Sequence, residues 1–402
     1  MKWHKSTLEK LIELENGYAF KSNEYAEYGH FLMRITNVQQ GYISSQSPKY
    51  VSIPANTNLK QYELHEGDLL MSLTGNVGRV GFIEDHHLPA ALNQRVARIK
   101  IKDTKNIDKR YLFNFFNSVD IRAKIEKLAN GAAQLNLSTK DIKSLSIPLP
   151  PLAEQQRIAA LLDTADRILK LRELAIAKLD ELAQSVFVDM FGDPFKPKFK
   201  FKVVELGQLI LEMRGGASLK PEDFVESGFP ILHKGAIKKH GLIEIDLKKK
   251  TFASLQYAKQ KKSSIVSKEF MAVTLRDLVP TGPSIGLIVN LNDGDYDEYL
   301  LAQGAYGFKI DLKKITPEYL IALSNMPSFR EVLKKYSVGS TQIHMRGPVF
   351  TSLKINLPEI SMQQKFSQVI KNIWKLRSIE NSFLEKEKVL MNSLQHQSFA
   401  VN

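Results

Sequence analysis

The most regular hydrophobic pattern lies in the middle of the chain. From Leu152 to Met190 there is neither Pro nor Gly, and apolar residues recur three and four positions apart at Ile158, Leu161, Leu162, Ala165, Ile168, Leu171, Ala175, Leu179, Leu182 and Val186. This spacing predicts an amphipathic helix of about five heptads, roughly 58 Å long at about 1.5 Å per residue. Pro150-Pro151 can open such a helix but not sit inside it, and Gly192-Asp193-Pro194 stops it. A second stretch follows the same pattern, with Phe366, Val369, Ile370, Ile373, Leu376, Ile379, Phe383, Leu390 and Leu394. A helix this long cannot bury its stripe alone, so the two are expected to pair with each other rather than to pack separately. If the two halves are related by a pseudo-twofold, the pair is antiparallel.

Ahead of each long helix the pattern changes to short β-branched or alternating runs: "KYVSIP", "VGFIE", "RVARIKI", "GLIVNL" and "YGFKI". These read as strands between turns. Helices are expected from Lys109 to Leu128 and from Pro317 to Tyr336, the latter with Thr316 as N-cap and Pro317 in the first helical position.

The two halves repeat. "NGAAQLNLSTKDIKSLSIPLPPLAEQQRI", from Asn130, aligns without a gap on "VGSTQIHMRGPVFTSLKINLPEISMQQKF", from Val338, at a constant offset of 208 positions. Gly131 meets Gly339, Gln134 meets Gln342, Pro150 meets Pro358, and Gln155-Gln156 meets Gln363-Gln364. The match runs from Tyr111 (Tyr319), through Arg122 (Arg330), to Phe191 (Phe399). Upstream it is weaker and gapped, with Gln94 against Gln303 and Gly41 against Gly241. This is domain duplication, not a short solenoid repeat. The preserved back parts are expected to share a job, and the divergent front parts to differ in theirs. The fold class expected is α+β: two mixed α/β domains in tandem with two long antiparallel coiled-coil helices. The boundaries fall at 1–150, 151–192, 193–358 and 359–402.

Composition narrows the function. The 402 residues carry a net charge of +13 and no Cys. Lack of Cys excludes disulfides, thiolate catalysis and cysteine-ligated metal sites. The basic surplus favours a polyanion such as nucleic acid. No run of about 18 apolar residues suggests a membrane span. The start lacks a secretory apolar segment, so the cytoplasm is the default compartment.

Catalytic motifs are not found. There is no P-loop, no H-E-x-x-H and no Asn/Asp-Pro-Pro-aromatic loop; Gly192-Asp193-Pro194-Phe195 lacks the second Pro and reads as a helix stop. His86-His87, in "EDHH", reads as a solvated loop in preference to a metal site. Asp246-x-Lys248 reads as a solvated basic turn. "TGNVGRVG", Thr74 to Gly81, is followed by strand and turn rather than helix, so it reads as a hairpin-like loop and not a dinucleotide fingerprint. Its glycines admit a close backbone, either a neighbouring strand or DNA.

The run "SIPLPPLAEQQRIAALLDTADRILKLRELAIAKLDELAQSVFVDMFG", preceded by "GAAQLNLSTKDIKSL", closely resembles the central region of type I restriction–modification specificity (S) subunits. The second copy departs from it at Asn356, Glu359 and Met362, while keeping Leu357, Pro358 and Gln363-Gln364. The resemblance implies two target-recognition domains, each reading half of a bipartite site in double-stranded DNA. The long helices would set the gap and dock two methylation (M) subunits. Two restriction (R) subunits would be an optional addition. S-adenosylmethionine, ATP and Mg would belong to those partners, with no cofactor, metal or catalytic residue in this chain. A specificity subunit serving methylation alone, or a coiled-coil scaffold that does not bind DNA, are the alternatives.

On that reading, Lys and Arg neutralise phosphates, Arg pairs with guanine, and Asn or Gln with adenine. The candidates in the first domain are Lys21, Arg34, Asn37, Asn76, Arg79, Gln94 and Arg95. In the second they are Arg214, Lys220, His233, Lys234, Lys238, Lys239, Arg276 and Gln303. Gln134 and Gln342 are expected to shape the approach to the helices. Glu154, Gln155, Arg157, Arg167, Arg172 and Glu173 are the candidate partner contacts on the first long helix.

Overall fold

The computed structural model describes residues 3–54, 57–129, 135–246 and 250–399. Gln134 and Lys248 lie outside the described residues. The chain divides into two compact units, Met1–Glu173 with Ser382–Asn402, and Leu174–Asn381. The first long helix is Leu152–Phe191 and the second is Ile360–Phe399. Each helix therefore contributes to both units.

In the first unit a four-stranded antiparallel sheet runs in the order Val80–Phe82, Leu69–Ser72, Val96–Ile101, Ile12–Asn16. Beside it a five-stranded sheet runs Tyr25–Ala26, Tyr50–Val51, His30–Met33, Ala90–Leu92, Glu63–Leu64, and Ala90–Leu92 lies parallel to His30–Met33. The second unit has the same two sheets. The first is Ile288–Asn290, Met271–Thr274, Ala305–Ile310, Ile210–Gly215; the second is Phe224–Val225, Phe252–Ala253, Phe229–Leu232, Glu298–Leu301, Ile265–Ser267. Phe229–Leu232 is again parallel to its neighbour Glu298–Leu301. The front parts, which match poorly as sequence, thus share one sheet order.

The two expected shorter helices are each split. Lys109–Asn117 and Val119–Leu128 are separated by Ser118, and Pro317–Asn325 and Pro327–Lys335 by Met326, both joints extended. Pro327 disfavours helical torsions in the residue before it, which accounts for the break at Met326. Thr316 caps as expected, its hydroxyl accepting from the Tyr319 N–H at 3.3 Å. "TGNVGRVG" is the predicted hairpin loop, between Leu69–Ser72 and Val80–Phe82. The approach its glycines permit is to the protein itself: a Cβ at Gly78 would meet the Ile125 side chain at 2.5 Å, and one at Gly81 the Tyr42 backbone at 2.6 Å.

The long helices pair antiparallel within each unit. In the first, Arg172 forms a two-pronged ion pair with Glu387, both contacts at 2.7 Å, while Ile158 and Leu162 share a core with Met391 and Phe399. In the second, Arg377 pairs with Asp180, and the Phe187 and Phe366 rings lie 5.7 Å apart. Burial of Asp180 would raise its pKa, but hydrogen bonds from His240 and Arg377 outweigh this and hold it below the usual carboxylate range.

The predicted apolar stripe is only partly inside. Ile158, Leu162, Phe366, Ile370 and Ile373 are buried, but Leu161, Ile168, Leu171, Leu182, Val369, Leu376, Ile379, Phe383 and Leu390 are exposed. A three-four spacing marks a broad face. Each helix buries only the narrower strip that touches its domain and the other helix, and Ala183, Phe187, Phe191 and Phe399 carry much of that contact.

Candidate nucleic-acid interface

The divergent part of each unit ends in a cluster of three backbone segments. In the second unit, Leu275 leaves strand Met271–Thr274 and is clamped on both sides: its N–H donates to Gly304 O and its carbonyl accepts from Met345 N–H, each at 2.8 Å. Arg276-Asp277 then pairs antiparallel with Ile343-His344. This brings Arg276, Gln303, Tyr306, Gln342, His344 and Arg346 around an open cleft of about 600 Å³. Arg276 Nη2 donates to Gln342 Oε1 at 2.9 Å. Gly304 beneath it has φ +93°, and a Cβ there would lie 2.8 Å from Arg276 Cβ.

The loop behind Arg276 is braced from below. The buried Asp277 carboxylate accepts from Ser284 N–H at 2.7 Å and from the Ser284 hydroxyl. Burial would raise its pKa, but these bonds and the neighbouring backbone N–H groups hold it low. Arg330, also buried, donates to Gly282 O at 3.2 Å and Pro283 O at 2.6 Å. The Lys234 ammonium is buried with no hydrogen-bond partner among the described residues. Burial lowers its pKa, with the Arg276 charge adding to this and Asp277 opposing it.

In the first unit the corresponding segments meet through the same bonds. Leu73 N–H donates to Arg95 O at 3.0 Å, Leu137 N–H to Leu73 O at 2.9 Å, and Gly75 N–H to Leu135 O at 2.9 Å. Asn76, Gln94 and Arg95 are exposed on this cluster.

Several other candidates are hydrogen-bonded within the fold. Asn37 is fully buried, donating to Ser44 O at 3.0 Å and Gln46 O at 3.2 Å. Arg34 donates to Ser47 O at 2.7 Å, and Arg79 to Gln39 Oε1 at 2.6 Å. Arg214 bonds Glu212 and Ile265 O and covers the Phe270 ring. The His233 ring caps Gly235 N–H at 3.0 Å. Lys21 and Lys220 are exposed at the starts of short 3₁₀ turns. Lys238 and Lys239 are exposed beside His240, which is tied to Asp180 of the first long helix at 3.2 Å, away from the Arg276 cleft. His86 is exposed as expected, but His87 is buried and accepts from Glu84 N–H at 3.0 Å. Among the described residues no group of three or more His, Asp or Glu could hold a metal ion.

Two expected partner contacts are also engaged within the fold, Gln155 buried and Arg172 partly exposed. Gln155 is buried: its Oε1 accepts from Asp108 N–H at 2.9 Å, and its Nε2 donates to Asn106 O at 3.0 Å and Pro150 O at 2.9 Å. Arg172 is held by Glu387 and lies over the Phe383 ring at 5.0 Å. Glu154 and Arg157 pair with each other, Glu154 half-buried and Arg157 exposed, while Arg167 and Glu173 are exposed. Tyr306, His344 and Arg346 were not marked by the sequence. The positional match of Gln134 with Gln342 drew attention to that segment, but not to its role as the partner of Arg276.

Two copies of one mixed-sheet domain, each joined to a long helix and each carrying an exposed polar cluster, make a tandem-repeat α+β protein. The chain belongs to the family described as type I restriction modification DNA specificity domain, whose model matches residues 1–181 and 199–387. It is 27% identical over 188 residues to the type I restriction enzyme MjaVIII specificity subunit of Methanocaldococcus jannaschii, covering 46% of this chain and 44% of that one. It is 30% identical over 191 residues to the EcoKI specificity subunit of Escherichia coli, covering 45% of this chain and 40% of that one. The chain thus spans less than half the length of these curated relatives. Its fold is similar to that of the S subunit of a type I restriction-modification system from M. genitalium, with a TM-score of 0.61 at 15% identity over 100% of this chain and 97% of that one. A second solved chain, from work on complex assembly in the type I R-M system, has a TM-score of 0.52 at 16% identity over 99% of this chain and 97% of that one.

Proposed function

We propose that this chain is the DNA specificity subunit of a type I restriction–modification complex and catalyses no reaction itself. Each unit reads one half of a bipartite site in double-stranded DNA. The long helices fix the unread gap, and their exposed faces dock two methylation subunits, with restriction subunits optional. S-adenosylmethionine, ATP and Mg are then the partners' cofactors. The observation that carries this reading is the pair of equivalent clusters, built on one sheet order but lined by different side chains. Two half-sites of different sequence require that combination of shared frame and changed surface. The net charge of +13 supplies the phosphate attraction.

The test is methyl incorporation into genomic DNA by the full chain assembled with its methylation subunit, with modified adenines located by single-molecule sequencing. One bipartite motif with a fixed gap is expected, and replacing residues 1–150 should change one half only. DNA affinity of the complex should fall about 10³-fold or more between 50 and 200 mM salt, as for about six or more phosphate contacts. A stable, folded complex that methylates no defined motif would overturn the proposal.

A further inference from the structure

We infer that each unit presents one arginine to a guanine from the same backbone slot, but from different segments of it: Arg276 in the second unit and Arg95 in the first. This rests on the specificity-subunit reading and assigns residues within it.

The slot is defined by matching hydrogen bonds. Leu73 donates to residue 95 and accepts from Leu137, as Leu275 donates to residue 304 and accepts from Met345. Tyr18 N–H donates to Leu92 O in the first unit, as Ala217 N–H donates to Leu301 O in the second. Thr74 pairs with Asn136, as Arg276 pairs with His344. Thr74 is therefore the counterpart of Arg276, and Arg95 the counterpart of Gly304.

The side chains at these two positions are exchanged. Where the loop carries the short Thr74, the turn carries Arg95. Where the loop carries Arg276, the turn carries Gly304, and a Cβ at Gly304 would press on Arg276 at 2.8 Å. The positive φ at Gly304 also disfavours any side chain there. One slot holds one guanidinium, and the two units deliver it along different paths. That would place the arginine differently against the base edges, as two different half-sites require.

Arg276 is suited to a base rather than a phosphate. Gln342 fixes the plane of its fork through one Nη2–H; the other Nη2–H and the Nε–H and Nη1–H groups flanking Nη2, one of which completes a two-pronged donor with it, have no hydrogen bond to the described residues. A fixed planar fork matches O6 and N7 of guanine in the major groove. Arg346, on the same cleft, has no side-chain partner among the described residues and is exposed, which suits a phosphate that only needs a charge.

The experiment uses the full chain in its methylating complex. The motif is mapped first with the unaltered protein; if no motif emerges, the specificity reading fails before this inference is tested. Duplexes carrying 7-deazaguanine at each guanine of the motif then remove N7 one position at a time. One sensitive guanine is expected in each half, with binding weakened about 10- to 100-fold. Arg276→Ala should abolish that sensitivity in one half only, and Arg95→Ala in the other. Arg276→Lys should fail to restore it, since a point charge lacks the fork. Gln342→Ala should weaken discrimination at the Arg276 guanine, and Gln342→Glu, which keeps the acceptor, should retain it. Unchanged 7-deazaguanine sensitivity in Arg276→Ala or Arg276→Lys, loss in the same half for Arg276→Ala and Arg95→Ala, or a motif with no guanine in one half would overturn the inference.

Discussion

Gln363→Leu will destabilise the second unit by about 3 kcal/mol, and Gln155→Leu will destabilise the first by a similar amount. Both glutamines are buried at the start of a long helix, and they make the same three bonds. Gln363 Oε1 accepts from Thr316 N–H at 2.9 Å; its Nε2 donates to Lys314 O at 3.0 Å and Pro358 O at 2.8 Å. The partners of Gln155 are Asp108, Asn106 and Pro150 in the same order. One amide thus ties the helix start to the residues that precede Pro317–Asn325 or Lys109–Asn117. Leucine fills a similar volume but leaves one backbone N–H and two carbonyls without partners, and a buried unmet group costs about 1–3 kcal/mol. Glutamate is no remedy: it keeps an acceptor for the N–H but turns a carboxylate oxygen on two carbonyls. Local hydrogen exchange in each unit, read beside thermal unfolding, separates the two effects. A Gln363→Glu protein as stable as the unaltered one would show that the clamp is not what holds this junction.

These glutamines show what could be read in the sequence and what could not. Their offset of 208 marked them as shared, and their position marked a helix start. Their role was misjudged for Gln155 because an amide near a helix N-terminus looks the same whether it faces solvent or three backbone groups 5 to 49 residues away. The helices themselves were legible because their signals are local: periodicity, the Thr316 cap, and Gly192, whose φ of +83° ends the first long helix. The sheets were legible only as scattered strands. Most are two to six residues long, and their order depends on pairings between distant segments that no short window contains.

The candidate clusters were legible by residue type but not by arrangement. Arg276 and Gln303 were marked, and the fold brings them to one cleft. Arg34, Asn37, Arg79 and Arg214 were marked for the same chemical reason, yet each is hydrogen-bonded to another part of the fold. A guanidinium or amide that can pair with a base edge can equally pair with a carbonyl. Only the tertiary partner decides between the two. The gapped upstream match has a physical cause as well. The offset between equivalent residues changes from 202 at Leu73 and Leu275 to 208 at Val80 and Ile288 and 209 at Arg95 and Gly304, so the hairpin loop is six residues longer in the second unit and one more residue follows it. The six extra loop residues lie around Leu278–Pro283, where Asp277 and Arg330 supply the bracing.

Removing residues 382–402 will unfold the first unit and spare the second, although the deleted segment adjoins the second in sequence. Phe399 is buried against Tyr111 and Phe115, with ring centroids 5.2 and 5.7 Å away. The equivalent Phe191 ends the other helix against Tyr319 at 5.1 Å. Each helix starts on its own domain and ends on the domain of the other repeat. Gln395 Oε1 also accepts from Val119 N–H at 3.3 Å, and Met391 joins the same core as Ile121, Ile125 and Ile158. Phe399→Ala alone should cost about 3–5 kcal/mol, the usual loss for a buried phenylalanine. The deletion removes that ring together with Met391, Leu394 and the Arg172–Glu387 pair, a loss comparable with the 5–15 kcal/mol stability of a typical domain. Hydrogen exchange is the deciding measurement: protection should vanish in Lys109–Leu128 and persist in Pro317–Lys335. The reverse pattern would mean that the second helix belongs, in solution, to the domain it follows in sequence. The expected pattern would mean that neither unit's core is complete without the far end of the helix that begins in the other repeat.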